Sequence, residues 1–277
     1  MADRLFAFAL MFSVACLAGA LLWILGDLAY KGLSHLSFDF LFAEPENSGR
    51  SGGIGPILIS TLLIIAIALL AALPLGLGVA VWLSEFTRRD AALGHAVRLS
   101  LDVLAGVPSI VFGLFGNAFF CVFLGLGFSI LAGGLTLACM ILPILIRTCE
   151  AGISSVNDAW RNGAHALGMS RASAIWHIIL PAASPAIAAG LILSIGRATA
   201  ETAALIFTSG YVDRMPESLM DSGRALSVHI YDLSMNVTGG DAAAHASALV
   251  LIGFVVVLSI LAQGLSDRWL QGRLRYD

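Results

Sequence analysis

The chain is poor in charge. Of its 277 residues only 12% are Asp, Glu, Lys or Arg, whereas 58% are hydrophobic. Soluble domains carry about twice that share of charge and about 45–50% apolar residues, so a solvated globular enzyme and a disordered segment are both excluded. The formal net charge of −3 excludes a nucleic-acid binder, which needs a basic excess to meet phosphates. Lysine is nearly missing: Lys31 stands alone, and the other 14 of the 15 basic residues are arginine. A P-loop ends in Gly-Lys-Ser/Thr so that the lysine reaches nucleotide phosphates, but Lys31 lies between Tyr30 and Gly32. Any ATP that drives this protein is therefore bound by another chain, and no cofactor is expected in this one. The four cysteines (Cys16, Cys121, Cys139, Cys149) lie in or beside apolar runs without CxxC spacing, which fits small buried hydrophobes. With the six histidines scattered, neither a disulfide framework nor a metal site is expected.

Long apolar runs are what the sequence has in abundance. A hydrocarbon core of about 30 Å takes about 20 apolar residues per helix, and six such runs occur. They predict an all-α integral membrane protein, one transmembrane domain over 1–277 with spans at about 6–28, 56–84, 100–124, 128–148, 184–209 and 246–266. The first run is too long for the h-region of a cleaved signal peptide and is read as a span. Residues 103–146 lack charge, and Gly125, Gly127, Gly133 and Gly134 mark a short turn between spans three and four. Pro74, Pro108 and Ser109 are candidate helix breaks. With the N-terminus inside, ten arginines fall on inner segments, against Lys31, Arg50, Arg214 and Arg224 on outer ones. That asymmetry follows the positive-inside rule and places both termini in the cytoplasm. In the outer segment 210–245, Leu219, Leu226, Ile230 and Leu233 recur at roughly helical spacing, and the alternation around Val228 and Ile230 also suits a strand. Ala186, Gly190 and Ser194 form a small-residue stripe suited to close helix packing.

The inner segment 149–183 is too long for a turn. Ala164, Ala166, Leu167 and Ala172 mix there with Arg161, Arg171 and His177, and Gly168 interrupts. This predicts two short helices with a bend at Gly168, which tolerates positive φ. Small side chains would let a partner surface approach closely. A loop that merely caps the bundle is the alternative.

Asn162-Gly163-Ala164, three residues, Gly168, nine residues and Ile178-x-Leu180-Pro181 resemble the EAA loop of ABC importer permeases. Asn162 stands for the glutamate of that signature and Gly163 for its first alanine. The resemblance extends through Gly52-Gly53-Ile54-Gly55-Pro56, Leu73-Pro74-Leu75-Gly76 and Gly106-Val107-Pro108-Ser109-Ile110-Val111. It continues through Leu142-Pro143 with Arg147-Thr148, Gly196-Arg197-Ala198-Thr199-Ala200-Glu201-Thr202-Ala203 and Val228-His229-Ile230-Tyr231. Together these segments are similar to phosphate permeases, and the Gly-Gly-Ile-Gly-Pro opening and the His-Ile-Tyr segment resemble the A-type subunit more than its C-type partner. The resemblance implies six spans of the type I importer kind in a bacterial inner membrane. It also implies a homologous C-type permease partner, an ATPase dimer below and an extracytoplasmic phosphate-binding protein above. Residues 149–183 would then hold the coupling helix, with Asn162, Gly163, Ala164, Ala166, Gly168 and Arg171 meeting the ATPase. A permease for sulfate, molybdate or another solute is the alternative within the superfamily. A self-contained secondary transporter would leave the EAA-like loop unexplained.

Arg197 and Glu201 are predicted inside span five, where an arginine at mid-bilayer costs about 2.5–3.5 kcal/mol on insertion scales. At i and i+4 they would share a helix face. Arg197 could offer its guanidinium to phosphate oxygens while Glu201 holds it between passages, with Thr199 and Thr202 adding hydroxyls along the path. A purely structural ion pair is one alternative. A position near the outer end is another, because Ile178 to Gly196 alone nearly crosses. Gly168-Met169-Ser170-Arg171-Ala172 lacks the last glycine of a nucleophile elbow and has no strand before it, so no catalytic residue is assigned.

Overall fold

The structure, a computed structural model, describes residues 2–88 and 90–274. Arg89 and Arg275, two of the arginines assigned to the inner side, lie outside the described residues. The main helices are α1 (Ala2–Leu33), α2 (Gly55–Phe86), α3 (Ala92–Ala105), α4 (Ser109–Phe123), α5 (Ile130–Ser154), α6 (Asp158–Ala166), α7 (Arg171–Thr199), α8 (Ala203–Ile206), α9 (Leu226–Met235) and α10 (Asp241–Leu274). A two-residue ribbon in the first outer segment pairs Pro45 with Gly52 and Glu46 with Ser51. Among the described residues, five helices are long and apolar enough to cross a bilayer, and α3 with α4 makes a sixth if counted as one bent span.

The centre is α5, packed between α2 and α7. Leu137, Ile141, Leu145 and Ile153 of α5 are buried with Ile64, Ala68 and Ala72 of α2 and Leu180 and Ala183 of α7. Lipid tails are as apolar as these side chains, so association depends on close packing rather than on a hydrophobic drive. Small residues supply the closeness. A Cβ added to Gly134 would stand 2.6 Å from Ile67, and one on Gly152 would stand 2.3 Å from Ala186. Gly190 likewise sits against Thr148, so the Ala186–Gly190 stripe of α7 faces α5. The outer layer is different: α10 packs on α7, and α1 packs on α10 with its apolar side chains exposed from Phe6 onward.

Several expected boundaries move. Span three is not one straight helix: α3 and α4 are bent by 102° across residues 106–108. Pro108 cannot donate to the ladder and Ser109 opens the new helix. Pro74, by contrast, sits inside an unbroken α2, because a proline removes a single ladder bond and the helix is held on both sides of it by packing on α5. Gly125 and Gly127, with φ of +70° and +61°, make the turn from α4 to α5. The expected span at 184–209 becomes a helix over Arg171–Thr199. The chain passes Pro181 through a wide π turn at Ile175–Ile179, which accommodates the missing donor, so the second short helix expected after Gly168 runs on without a break into the apolar stretch. The apolar run after Glu201 is the separate α8. In the outer segment α9 is helical from Leu226 to Met235, Val228 and Ile230 included, while Leu219 lies outside it.

Gly152→Val is expected to force α5 and α7 apart at a cost of about 1–3 kcal/mol, read as a lower melting temperature in detergent. Gly78→Ala on α2, where an added Cβ meets nothing within 4 Å, is expected to be neutral or to stabilise by up to about 1 kcal/mol of helix propensity.

Candidate functional site: the coupling segment and the outer end of span five

The chain turns from α5 into α6 through Asn157, whose Oδ1 accepts from the Ala159 amide at 2.9 Å and caps the helix. Arg161, one turn later, points back into the bundle. Its Nε and Nη2 donate to the Glu85 carboxylate at the end of α2, the shortest contact being 2.8 Å. Nη2 also donates to the Ile153 carbonyl at 2.9 Å, and Nη1 donates to the Val156 carbonyl and to Asp158. The hydrogen bonds to Glu85 push the Arg161 pKa up, with desolvation opposing them. Ala164 is buried under the helix, whereas Asn162, Gly163, Ala166, Gly168 and Arg171 are exposed. Gly168, at φ +73°, ends α6. Its amide donates to the His165 carbonyl and the Met169 amide to the Ala164 carbonyl, a Schellman closure that needs the left-handed conformation. Ser170 Oγ then caps α7 by accepting from the Ser173 amide. An open polar cavity of about 120 Å³ between α6 and α7 is lined by Glu85, Arg161, His165, Arg171, Ala174 and Ile175, among others.

Beside this segment lies a second charge network, of which the sequence reading used only Arg98 and Arg147, for orientation and, with Arg147, in the resemblance. Glu150 on α5 is nearly buried and takes Arg98 of α3 at 2.6 Å and Arg147 at 3.2 Å. Arg98 also donates to the Leu83 carbonyl, and Arg147 reaches Asp102 at 2.9 Å. A signal was present: Glu85, Arg98, Asp102, Arg147 and Glu150 all flank the two uncharged runs, where charges crowd against the ends of packed helices.

At the opposite end of α7 the expected Arg197–Glu201 pair does not form. Arg197 lies in the last turn of α7 and is exposed, and no ion pair among the described residues includes it. Glu201 lies past the helix end and is buried. Its Oε1 accepts from the Ala204 amide at 3.1 Å, and its backbone carbonyl accepts from Ser227 Oγ. The i, i+4 face is lost because the helix stops at Thr199, two residues short of Glu201. Thr199 is buried and donates to the Ile195 carbonyl, whereas Thr202 is half-buried at the start of α8. Arg197 thus stands at the end of the span away from α6. Asn117 of α4 donates to the Phe207 carbonyl at 2.8 Å, tying the break to the bent span.

Over this end sits a knot around Arg224. Its Nη1 is 3.2 Å from Asp232 and 3.7 Å from Asp213, and its Nε donates to the Tyr211 carbonyl. His229 is fully buried, with Nδ1 facing Arg224, Nε2 without a partner and Gly49 against its ring. Burial first, and then the Arg224 charge, lower its pKa to about 4. Its folded pKa lies below the unfolded value near 6.5, so the unfolded chain binds the extra proton. Stability from this site is full above about pH 6.5 and is lost as pH falls toward 4. Melting curves between pH 7 and pH 4.5 should show this loss, and a neutral replacement that still folds, His229→Gln, should flatten it.

This arrangement of helices has relatives. The model of the binding-protein-dependent transport system inner membrane component family matches residues 72–276. A probable ABC transporter permease protein, YqgI, from Bacillus subtilis is 31% identical over 271 residues, covering 92% of this chain and 90% of that protein. The Phosphate transport system permease protein PstA homolog of Mycoplasma pneumoniae is 36% identical over 233 residues, which are 78% of this chain but 36% of that protein. Among solved structures, a bacterial alginate ABC transporter chain superposes with a TM-score of 0.64 at 18% identity, covering 94% of this chain and 95% of that one. The chain belongs to the binding-protein-dependent transport system inner membrane component family: it is a membrane-spanning ABC importer permease subunit.

Proposed function

We propose that the chain forms the translocation path of an ATP-driven importer of inorganic phosphate, together with a homologous C-type permease. In this reading it lies in a bacterial cytoplasmic membrane with both termini inside, and a phosphate-binding protein delivers solute from outside. The chain itself catalyses no reaction and holds no cofactor; ATP is bound and hydrolysed by a separate ATPase dimer under α6. The observation that carries the reading is the coupling segment. It projects Asn162, Gly163, Ala166 and Gly168 as a small, uncharged surface from a helix anchored from behind by Arg161. Arg171 stands at its edge and supplies a positive charge to the docked partner.

The phosphate reading is supported by the A-type sequence segments, by the phosphate-transport name of the Mycoplasma relative and by Arg197. Phosphate approaching the outer half of the path meets an exposed guanidinium that is in no ion pair among the described residues, and Arg offers two parallel donors to phosphate oxygens. Glu201 serves this site by capping α8 and fixing the break after Thr199; it does not hold Arg197 between passages. Thr202 lies at the same break and lines it.

Proteoliposomes holding the chain with its partner permease, ATPase and binding protein should accumulate labelled phosphate only when ATP is supplied on the ATPase side. Excess sulfate or molybdate should not compete. Vigorous phosphate flux through the chain alone, without ATP, would overturn the reading. Arg197→Gln should keep the assembled complex but lower uptake about tenfold or more, the loss of a charge-assisted hydrogen bond being about 1.5–3 kcal/mol. Cysteines at Ala166 and Gly168 should crosslink to the ATPase subunit, and failure at both positions in an intact complex would remove the docking claim.

A further inference from the structure

The two ends of α6 are fixed to the bundle in opposite ways. On the upstream side, all five guanidinium N–H donors of Arg161 are taken: by Glu85 at the end of α2, by the Ile153 and Val156 carbonyls at the end of α5, and by Asp158 within α6. The Arg161 and Glu85 side chains are 18% and 13% exposed, so water competes little for the pair. A buried pair of this kind, with its lone pairs and protons satisfied, resists displacement because separating it strands two charges. Downstream, the link to α7 is Gly168, held at φ +73° with nothing within 4 Å of where a Cβ would stand. Beyond it a cavity of about 120 Å³ opens between α2, α6 and the first turns of α7, lined by Glu85, Arg161, His165 and Arg171, and α6 meets α7 chiefly along those first turns.

Resting on the reading of α6 as the ATPase-docking helix, we propose that Arg161 and Glu85 are positioning residues that make α6 one rigid body with α2 and α5, while α7 follows through a hinge at Gly168. Movement of the ATPase then enters the bundle through the α2–α5 seam. The Arg197-bearing helix, α7, receives it second, through its packing on α5. A clamp at the upstream end lets a helix of nine residues, about two and a half turns, pass force to the bundle without tilting in place.

The test uses the full complex with ATPase, partner permease and binding protein, in a background where the four native cysteines are replaced. Spin labels at exposed Ala151 on α5 and His165 on α6 should give one narrow distance that is unchanged between nucleotide-free and ATP-trapped complexes. Labels at His165 and Ala182 on α7 should shift between the same two states. Glu85→Ala should broaden the first distribution, keep the ATPase bound and hydrolysing ATP, and lower solute carried per ATP about tenfold. Glu85→Gln, which keeps the shape, should fall between wild type and alanine. Bridging Glu85→Cys to Arg161→Cys with a short bis-thiosulfonate should leave uptake within about twofold. A first distance that shifts with ATP, or uptake lost on bridging and restored by reduction, would overturn the proposal, as would normal coupling in Glu85→Ala. The distances are read whatever the solute, so failure to carry phosphate overturns only the substrate assignment. Failure of the wild-type chain to retain the ATPase overturns the docking reading; the clamp is then decided in the chain alone, where the distribution between α5 and α6 must be narrow in wild type and broad in Glu85→Ala, and equal widths overturn it.

Discussion

The seam of α5 with α2 and α7 is the constraint on which the other features depend. Between helices in lipid, attraction comes from contact distance, and here the distance is set by residues with little or no side chain. Gly134 receives Ile67, Gly152 receives Ala186 and Gly76 receives Leu145. Once this seam is closed, the inner ends of α2 and α5 lie side by side. Glu85 can then reach Arg161, and Glu150 can reach Arg98. At the outer end the same seam carries α7 to the point where its helix stops, with Gly113 of α4 pressed against Ala204 and Asn117 bonded to the Phe207 carbonyl.

The charges divide accordingly. At the inner end the arginines that enter the bundle find carboxylates: Arg98 and Arg147 share Glu150, and Arg161 takes Glu85. Desolvated charge needs such compensation. At the outer end Arg224 is similarly enclosed by Asp213 and Asp232. Arg197 is the contrast: it is exposed and outside every ion pair among the described residues, next to a helix break whose own polar groups are satisfied by Glu201, Ser227 and Asn117.

Much of this was legible in the sequence, and the limits have physical reasons. Uninterrupted apolar length marks helices well, because nothing else satisfies a backbone in hydrocarbon. Gly168 was legible as a bend, since a glycine between two helix-forming stretches has few other uses there. The ends of span five were not. Apolar runs fix where a helix is permitted, whereas its ends depend on partners distant in sequence: Glu201 on the Ala204 amide, Ser227 on the Glu201 carbonyl. Reading Arg197 and Glu201 as one face assumed a continuous helix, and the break at Ala200 undid that. The Arg161–Glu85 ion pair was missed for a related reason. Its two members are 76 positions apart, and no local pattern announces such a meeting.

Three spans contain a widened turn, at Trp82–Phe86, Asn117–Phe123 and Ile175–Ile179. Each accommodates one residue more than a regular helix would use over the same rise. In α7 that surplus lies between the bend at Gly168 and the apolar stretch. A chain shorter by a single residue there would close the turn to a regular helix over the same rise and leave the upper half facing as it does. One residue added in the regular turns above it would instead swing Arg197 by about 100°, so the wide turn is where this helix tolerates a change of length without re-aiming the guanidinium.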